Sequence, residues 1–208
     1  MSAVRLIAIT PKSERLIAYC ARVSNPENQE NPNIAGLLRY CIQHGHWSIF
    51  EMANMVLEIT TTRAIAAQIL RHRSFSFQEF SQRYATVPGW EAVHPRKQHE
   101  KARQSSTDDL DVETITWFTD LQTHDAEQAF AAYHEATRRG IAHESARFLL
   151  PLSAQTRLYM SGTIRSWIHY CQLRTTLETQ AEHRSIAEDT KQLLILELPI
   201  IAEALGWT

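Results

Sequence analysis

Residues 71–84 read RHRSFSFQEFSQRY, a run in which aromatic residues alternate with hydrogen-bonding ones. Phe75 and Phe77 alternate with Ser76 and Gln78, so an extended segment would place the two kinds of side chain on opposite sides. We expect the aromatic side to pack into the core and the polar side to face a pocket, because a solvated loop has no need of the aromatic residues. The arginines of this run supply planar groups that suit phosphate and carboxylate ligands.

The residues immediately before this run predict a helix over 63–73, RAIAAQILRHR. Gln68 lies three residues before Arg71 and four before His72, so the three side chains share one helix face and leave the helix end together. They can therefore grip one ligand. The alternative is that these cations only complement the helix dipole at its carboxyl end.

The whole chain has 208 residues, of which 44% are apolar, and this predicts one globular domain over 1–208. A net charge of −2 gives no general attraction to nucleic acid or to an anionic membrane, so neither is expected as a partner. Three widely spaced cysteines lie in apolar helical patterns and suit reduced, packed thiols. With no secretion signal or membrane span at the amino terminus, we expect a cytoplasmic protein.

Hydrophobic periodicity and turn residues place the other elements. Residues 88–107 are polar and mixed in charge, and we interpret them as a mobile excursion rather than a domain linker. Thr61 or Thr62 is the expected N-cap of the helix over 63–73. We predict strands over 4–10, which should be buried, and 50–60, and further helices over 13–23, 34–45, 109–139, 142–149, 163–173 and 181–204, the last bent at Pro199.

The order of polar residues in the central run is specific. It contains RHR at 71–73, then seven residues, then Ser81, with Glu79, Arg83 and Tyr84 in place, and it resembles the signature of flavin-dependent thymidylate synthases. The resemblance covers nearly the whole chain. It extends to ARVS at 21–24, HGHWSIFE at 44–51, ARFLLPL at 146–152, IRS at 164–166 and LR at 173–174.

This resemblance implies an α+β fold, with helices packed around a small, mostly antiparallel sheet, and a homotetramer. It implies flavin adenine dinucleotide (FAD) as the cofactor. The implied reaction is the reductive methylation of deoxyuridine monophosphate (dUMP) to thymidylate, with methylene-tetrahydrofolate as carbon donor, NADPH as reductant and tetrahydrofolate as product. A hydride-carrying flavin removes the need for a cysteine that attacks the uracil ring.

The resemblance also implies a substrate site rich in cations. Ser81, Arg83 and Arg147 supply donors for the phosphate. Gln68 and Arg174 meet the pyrimidine edge, and Arg174 is the implied catalytic residue because a fixed cation polarises the ring. The implied substrate-binding residues are Gln68, Arg71, Glu79, Phe80, Ser81, Gln82, Arg83, Arg147 and Arg174.

The implied flavin site partly overlaps the substrate site. The chain departs from the family pattern at Thr163 and His169, which stand where asparagine is usual, at Gln78, where asparagine is common, and at Glu178, where some members have histidine. Threonine and histidine still form hydrogen bonds, but with a different reach. The implied flavin-binding residues are Ser24, Ser48, Glu51, Arg71, His72, Arg73, Glu79, Thr163, Arg165 and His169.

Three other interpretations are weaker. Ser81 as a nucleophile would need a histidine and an aspartate to activate it, and no such pairing is evident. His44 and His46 are too few and too close for a recognised metal site, so no metal is expected, and the resemblance places His46 near the folate. An RNA-binding module built on these arginines and phenylalanines conflicts with the net negative charge.

The implied ligand-binding residues form two clusters in the sequence, at 68–83 and 147–174. Either the fold joins them within one chain or symmetry joins them between chains. The resemblance to a tetrameric family favours the second, with the RHR segment of one subunit facing Arg174 of another.

Overall fold

The computed structural model describes residues 2–207, and this range contains six strands and eight α-helices. The strands are β1 (Ala3–Ile9), β2 (Asn54–Thr62), β3 (Ser76–Glu79), β4 (Lys97–Gln98), β5 (Ser106–Thr107) and β6 (Gln155–Thr163). The helices are α1 (Ser13–Ala21), α2 (Ala35–Gln43), α3 (Arg63–Ile69), α4 (Val112–Arg138), α5 (His143–Ala146), α6 (Ile164–Arg174), α7 (Ala181–Glu197) and α8 (Pro199–Ala204), with short 3₁₀ turns at Pro26–Asn28, Trp47–Glu51 and Arg147–Leu149.

Strand β6 occupies the interior of a four-stranded antiparallel sheet with the order β1-β2-β6-β3. It pairs with β2 from Gln155 to Thr163 on one side and with β3 on the other. The sequence prediction omitted this strand. Its inward positions include the buried Thr156 and Gly162 beside Leu158 and Met160, so the apolar alternation in the sequence is short.

The other two predicted strands need correction. β1 was expected to be buried, but it lies at the edge of the sheet and Ile7 is exposed, because only its β2 side has a neighbour. The second was predicted from residue 50, whereas β2 begins at Asn54 because the preceding residues, Trp47–Glu51, form a 3₁₀ turn.

Helices cover the sheet and enclose one main hydrophobic core. Leu57, Ile59 and Leu158 of the sheet are fully buried, as are Ile17 of α1 and Trp167 of α6. The Trp167 indole also donates a hydrogen bond to the carbonyl of Met55, 3.0 Å away. The α+β class is therefore confirmed, with a small antiparallel sheet and a single domain in the described range.

Most helix boundaries agree with the prediction, with one important exception. Thr62 caps α3 as expected, since its hydroxyl accepts from the backbone N–H of Ile65 at 3.5 Å. However, α3 ends at Ile69 rather than Arg73, so Arg71, His72 and Arg73 lie in a turn beyond it. The predicted helix over 181–204 is divided into α7 and α8. Pro199 is the first residue of α8, a position where its missing N–H costs no hydrogen bond within the helix.

The polar segment over 88–107 contains the small β4–β5 hairpin. Lys97 pairs with Thr107 in this hairpin, and the Lys97 ammonium contacts the Asp109 carboxylate at 3.1 Å. Trp90 forms an isolated bridge with Ala154, just before β6. Trp90 thus attaches this segment to the residues just before β6.

No helix between residues 2 and 207 is long and apolar enough to cross a membrane.

Candidate functional site

The end of α6 meets the turn after α3 through a direct hydrogen bond. Arg174 Nε donates to His72 Nε2 at 2.9 Å, in a half-buried position. Because that nitrogen accepts, a neutral His72 carries its proton on Nδ1. Burial, then the positive charges of Arg174 and His169, lower the pKa of His72 to about 4. His72 is thus a neutral imidazole that holds Arg174 by its Nε.

This contact joins the two sequence clusters at one point within the chain. His72 binds Arg174 of its own chain, and the expectation that the RHR segment faces Arg174 of another subunit stays a prediction. The fold joins the two sequence clusters here because β6 leads α6 back across the sheet to the end of α3.

A chain of polar groups, buried at Tyr170 and His183 and exposed at Gln180, lies next to this pair. His183 is fully buried and its Nδ1 lies 3.3 Å from Gln68 Oε1, while its Nε2 lies 3.2 Å from the Tyr170 hydroxyl. Gln68 Nε2 donates to Gln180 Oε1 at 2.6 Å. Gln68 and His72 therefore both lie against His183. They do not share a helix face as predicted, because α3 ends at Ile69, and Arg71 is exposed instead of joining them.

Burial determines the charge states of this group. It lowers the pKa of His183 to about 3, with further lowering by the charge of Arg174. Burial also raises the pKa of Tyr170 well above its usual value. Both side chains are neutral at physiological pH, so the chain is built from neutral hydrogen bonds around one cation, Arg174.

A cavity of about 500 Å³ opens on the other side of α6. Glu51 and Arg165 form an ion pair at its wall, and His169 lines it close enough to His72 to influence that pKa. Thr163 caps α6 by accepting from Ser166 N–H at 3.2 Å. Three of the implied flavin-binding residues, Glu51, Arg165 and His169, thus surround one cavity, and the fourth, Thr163, begins the helix that carries two of them. The remaining lining residues are Trp47, Ser74, Ser166, Ile168 and Gln172.

The donors at this cavity fit a dinucleotide cofactor. Arg165 and His169 offer N–H groups to phosphate oxygens. Trp47 and Ile168 offer apolar surface to a ring system.

Glu79 is already paired within the chain. Arg63 Nη1 contacts its carboxylate at 2.5 Å, and the Thr156 hydroxyl donates to the same oxygen at 2.9 Å. This carboxylate therefore links α3, β3 and β6. Glu79 therefore has a structural role in addition to the implied role of holding substrate and flavin.

The implied phosphate-binding residues lie on a more exposed surface. Arg83 donates to the Glu144 carboxylate at 3.1 and 3.3 Å, and its backbone N–H donates to Ser81 Oγ at 3.3 Å. Arg147 stands over the ring of Phe148 at 5.7 Å. Ser81, Arg83 and Arg147 are thus grouped around α5 and the turn that follows it.

Phe80 and Gln82 point away from this exposed surface. Phe80 packs in a small second apolar cluster with Val87, Phe130 and Ala154. Gln82 is buried, and its Nε2 has no hydrogen-bond partner among residues 2–207. The inward-facing side chains of Phe80 and Gln82 therefore attach this segment to the protein interior.

The other implied flavin residues are spread over the surface. Arg71 and Arg73 are exposed on either side of His72, and Ser48 is exposed in the 3₁₀ turn beside α6. Ser24 lines a separate cavity of about 420 Å³ between the end of α1 and the start of α2, where Arg22 binds the carbonyls of Asn31 and Asn33. The structure does not bring Ser24 to the cavity lined by His169.

The histidine pair that resembles half a metal site is engaged in ring packing. His44 stacks on Tyr40 with 4.0 Å between ring centroids, and His46 meets Tyr40 edge-on at 5.9 Å. Within residues 2–207, no group of three or more histidine, cysteine or acidic residues is arranged to hold a metal ion. Burial raises the pKa of Cys171 to about 12, which disfavours a thiolate nucleophile at the cysteine nearest Arg174 in sequence.

Several residues that contact the implied site residues were absent from the sequence prediction, namely Arg63, Thr156, Tyr170, Gln180 and His183. Tyr170 and His183 occupy the buried faces of α6 and α7, where periodicity marks them as core. Arg63 and Thr156 both contact Glu79, which is distant from each of them in the sequence. Only the unusual polarity of His183 on an apolar helix face was a signal that the sequence offered.

Comparisons with known proteins find similar sequences over nearly the whole chain. The family model for thymidylate synthase complementing protein, Thy1, matches residues 5–200. The flavin-dependent thymidylate synthase of Synechocystis is 56% identical over 93% of this chain and 90% of its own length. The "Probable flavin-dependent thymidylate synthase" of Paramecium bursaria Chlorella virus 1 is 55% identical over 94% of this chain and 91% of its own.

A solved structure shares the fold. The UMP/dUMP methylase PolB from Streptomyces cacaoi, bound with 5-Br dUMP, superposes with a TM-score of 0.87 over 99% of this chain and 95% of that one. The sequences are 24% identical. Helices around a small antiparallel sheet are therefore common to both proteins.

Proposed function

This chain belongs to the Thy1 family of flavin-dependent thymidylate synthases, and we propose that it reductively methylates dUMP to thymidylate for de novo thymidylate biosynthesis. The observation that carries the proposal is the position of the His72–Arg174 pair. It lies between the Gln68 amide on one side and the cavity lined by Arg165 and His169 on the other. The amide proposed to meet the pyrimidine, the fixed cation and the cavity proposed for the cofactor are thus adjacent.

Arg174 is the residue that acts on the pyrimidine. Its Nε is used by His72, and within residues 2–207 its terminal nitrogens donate no other hydrogen bond, so they are the donors offered to a ligand. A cation held in this way stabilises negative charge that develops on the ring, without reorganisation during the reaction. Gln68 meets the pyrimidine edge, while Ser81, Arg83 and Arg147 hold the phosphate, with Arg71 and the 79–83 segment completing the nucleotide site.

FAD is the proposed cofactor, and when bound it supplies the hydride that reduces the transferred carbon. Arg165 and His169 would hold it through N–H donors, with Glu51 positioning Arg165 through their ion pair. Ser24, Ser48, Arg71, His72, Arg73, Glu79 and Thr163 are the other proposed flavin residues. We further propose NADPH as the reductant and methylene-tetrahydrofolate as the carbon donor, with the folate near His46.

We propose a homotetramer for the assembly. Phe148, Leu152 and Leu177 are 82%, 73% and 83% exposed, which is unusual for large apolar side chains and typical of surfaces that associate. Phe148 and Leu152 adjoin Arg147. A symmetric interface at this surface would bring Arg147 toward the site of another subunit. The three free cysteines suit a reducing, cytoplasmic location.

The visible spectrum and a labelling assay test the proposal together. Purified protein should show a flavin spectrum, and with NADPH and dUMP it should transfer label from methylene-tetrahydrofolate into thymidylate. The Arg174→Ala variant, with its flavin retained, is the control for turnover. A colourless protein that also fails to take up added FAD would refute the proposal.

A further inference from the structure

Each hydrogen bond around Gln68 has a determined donor and a determined acceptor, and the Glu182 carboxylate decides which is which. Gln180 Nε2 donates to a Glu182 carboxylate oxygen at 2.9 Å, and an ionised carboxylate only accepts. Gln180 must therefore present its carbonyl oxygen, Oε1, to Gln68. Gln68 must then donate with Nε2, and the distance between these two atoms is 2.6 Å.

The direction continues into the core. With its Nε2 turned to Gln180, Gln68 presents Oε1 to His183 Nδ1, which must carry the proton and donate. The neutral imidazole then accepts at Nε2 from the Tyr170 hydroxyl at 3.2 Å. Every group from Tyr170 to Glu182 donates to the next, so one tautomer of His183 and one orientation of the Gln68 amide satisfy the whole chain.

A free glutamine amide can serve either of two pyrimidines. Uracil presents an N–H donor beside a carbonyl acceptor, whereas cytosine presents an acceptor beside an amino donor. A 180° rotation of the amide exchanges its oxygen and nitrogen and so changes which base it matches. In this chain that rotation would oppose Nε2 to the His183 N–H and Oε1 to the Gln180 carbonyl. Both contacts would be lost, and the loss would cost most at His183, which is fully buried and has no water to replace the Gln68 acceptor.

We infer that His183 is a positioning residue that, with Tyr170 and Gln180, locks the Gln68 amide and makes it select uracil over cytosine nucleotides. Gln68 retains a second lone pair on Oε1 and a second N–H on Nε2, and these are the groups offered to the base. The inference rests on the proposed function, in which Gln68 meets the pyrimidine edge. It adds that selectivity resides in a residue that touches no substrate.

The test is the ratio of dUMP to dCMP affinity, measured by titration calorimetry on the flavin-loaded protein. His183→Leu keeps the buried volume but removes the donor to Gln68. We expect it to reduce the preference for dUMP by roughly tenfold or more, since sites that lose a directed hydrogen bond lose discrimination. His183→Asn, which places an N–H near the position of Nδ1, should restore much of the preference. A preference unchanged in His183→Leu would overturn the inference.

Gln68→Ala separates this inference from the proposed function. If His183 acts through Gln68, the His183→Leu substitution should have no further effect on the ratio in the Gln68→Ala background. Normal dUMP affinity in Gln68→Ala would instead overturn the placement of the pyrimidine. Should His183→Leu fail to fold, Gln180→Leu at the exposed end of the chain removes the other partner of the same amide. An unaltered ratio there would count equally against the inference.

Discussion

Arg174 Nε and His72 Nε2 lie 2.9 Å apart within one chain, so the cation at the end of α6 is held by an imidazole from the turn after α3. This contact fixes one nitrogen of the guanidinium and leaves two for a ligand. Burial is the main cause of the low pKa of His72, and the contact lowers it further, since a proton on Nε2 would face the arginine. The pair is the starting point for the first prediction.

Arg174→Ala should reduce turnover on the order of a hundredfold or more while the protein retains its flavin, because a preorganised cation is lost from the developing charge. Arg174→Lys should recover only part of the rate, since an ammonium lacks the planar fork that separates the donor to His72 from the donors offered to the ring. The rate at saturating dUMP and the flavin content of each variant are the measurements. Normal turnover in Arg174→Ala would assign this residue another role.

Glu79→Gln should lower the free energy of unfolding by roughly 1–3 kcal/mol, because it leaves the half-buried Arg63 guanidinium without its charged partner. Glu144→Gln is the matched control. Its partner Arg83 is exposed, and such pairs contribute about 0–1 kcal/mol. Urea unfolding of the two variants measures the difference, and equal losses would contradict the bridging role of Glu79.

Stability should rise with pH below neutrality because of His183. The pKa of His183 is about 3 in the folded protein, against 6.5 for a histidine exposed to water. Between these two pH values the unfolded chain therefore binds more protons than the folded one. Stability is therefore lost as pH falls, by up to about 2.5 kcal/mol from pH 6.5 to about pH 4.5 at 1.36 kcal/mol per unit. His183→Asn, which does not titrate, should show a shallower slope in urea unfolding across this range. Parallel slopes would mean that His183 is not buried in its neutral form.

Gly162→Ala should destabilise the protein by roughly 1–3 kcal/mol, since the added carbon would lie 2.4 Å from the Phe75 ring and force it to move. Gly36→Ala is the control. A carbon added at Gly36, in the first turn of α2, meets nothing within 4 Å, and alanine favours a helix, so its stability should be equal or higher by up to about 1 kcal/mol. Thermal unfolding distinguishes the two, and a neutral Gly162→Ala would show that Phe75 is loosely held.

The proposed tetramer predicts that mixing two inactive variants restores activity for some pairs of substituted residues and not for others. Arg147→Ala and Arg174→Ala proteins, mixed and reassembled, should recover activity toward about a quarter of sites if Arg147 serves a neighbouring subunit. His72→Ala mixed with Arg174→Ala should recover none, because those residues meet within one chain. Mixed tetramers identified by mass analysis, yet inactive for the first pair, would refute a composite site.

Local sequence patterns predicted much of this molecule, and distant pairings account for what they missed. Thr62, the length of α4 and the break at Pro199 follow from capping and periodicity, which depend on near neighbours. The Arg63–Glu79 pair and the His183–Gln68 contact depend on residues that only the fold brings together. His183 in particular lies on an apolar helix face, where its chemistry is visible only once its partners are known.

The position of β6 has a consequence for how the chain is made. β6 is the last strand to leave the ribosome, yet β2 and β3 both need it as a neighbour. Until residue 163 emerges, Leu57 and Ile59 of β2 lack their final packing and one edge of that strand lacks a partner. Folding must then close the long connection that contains α4, a non-local step of the kind that slows folding. Nascent chains truncated before β6 should consequently aggregate or engage chaperones.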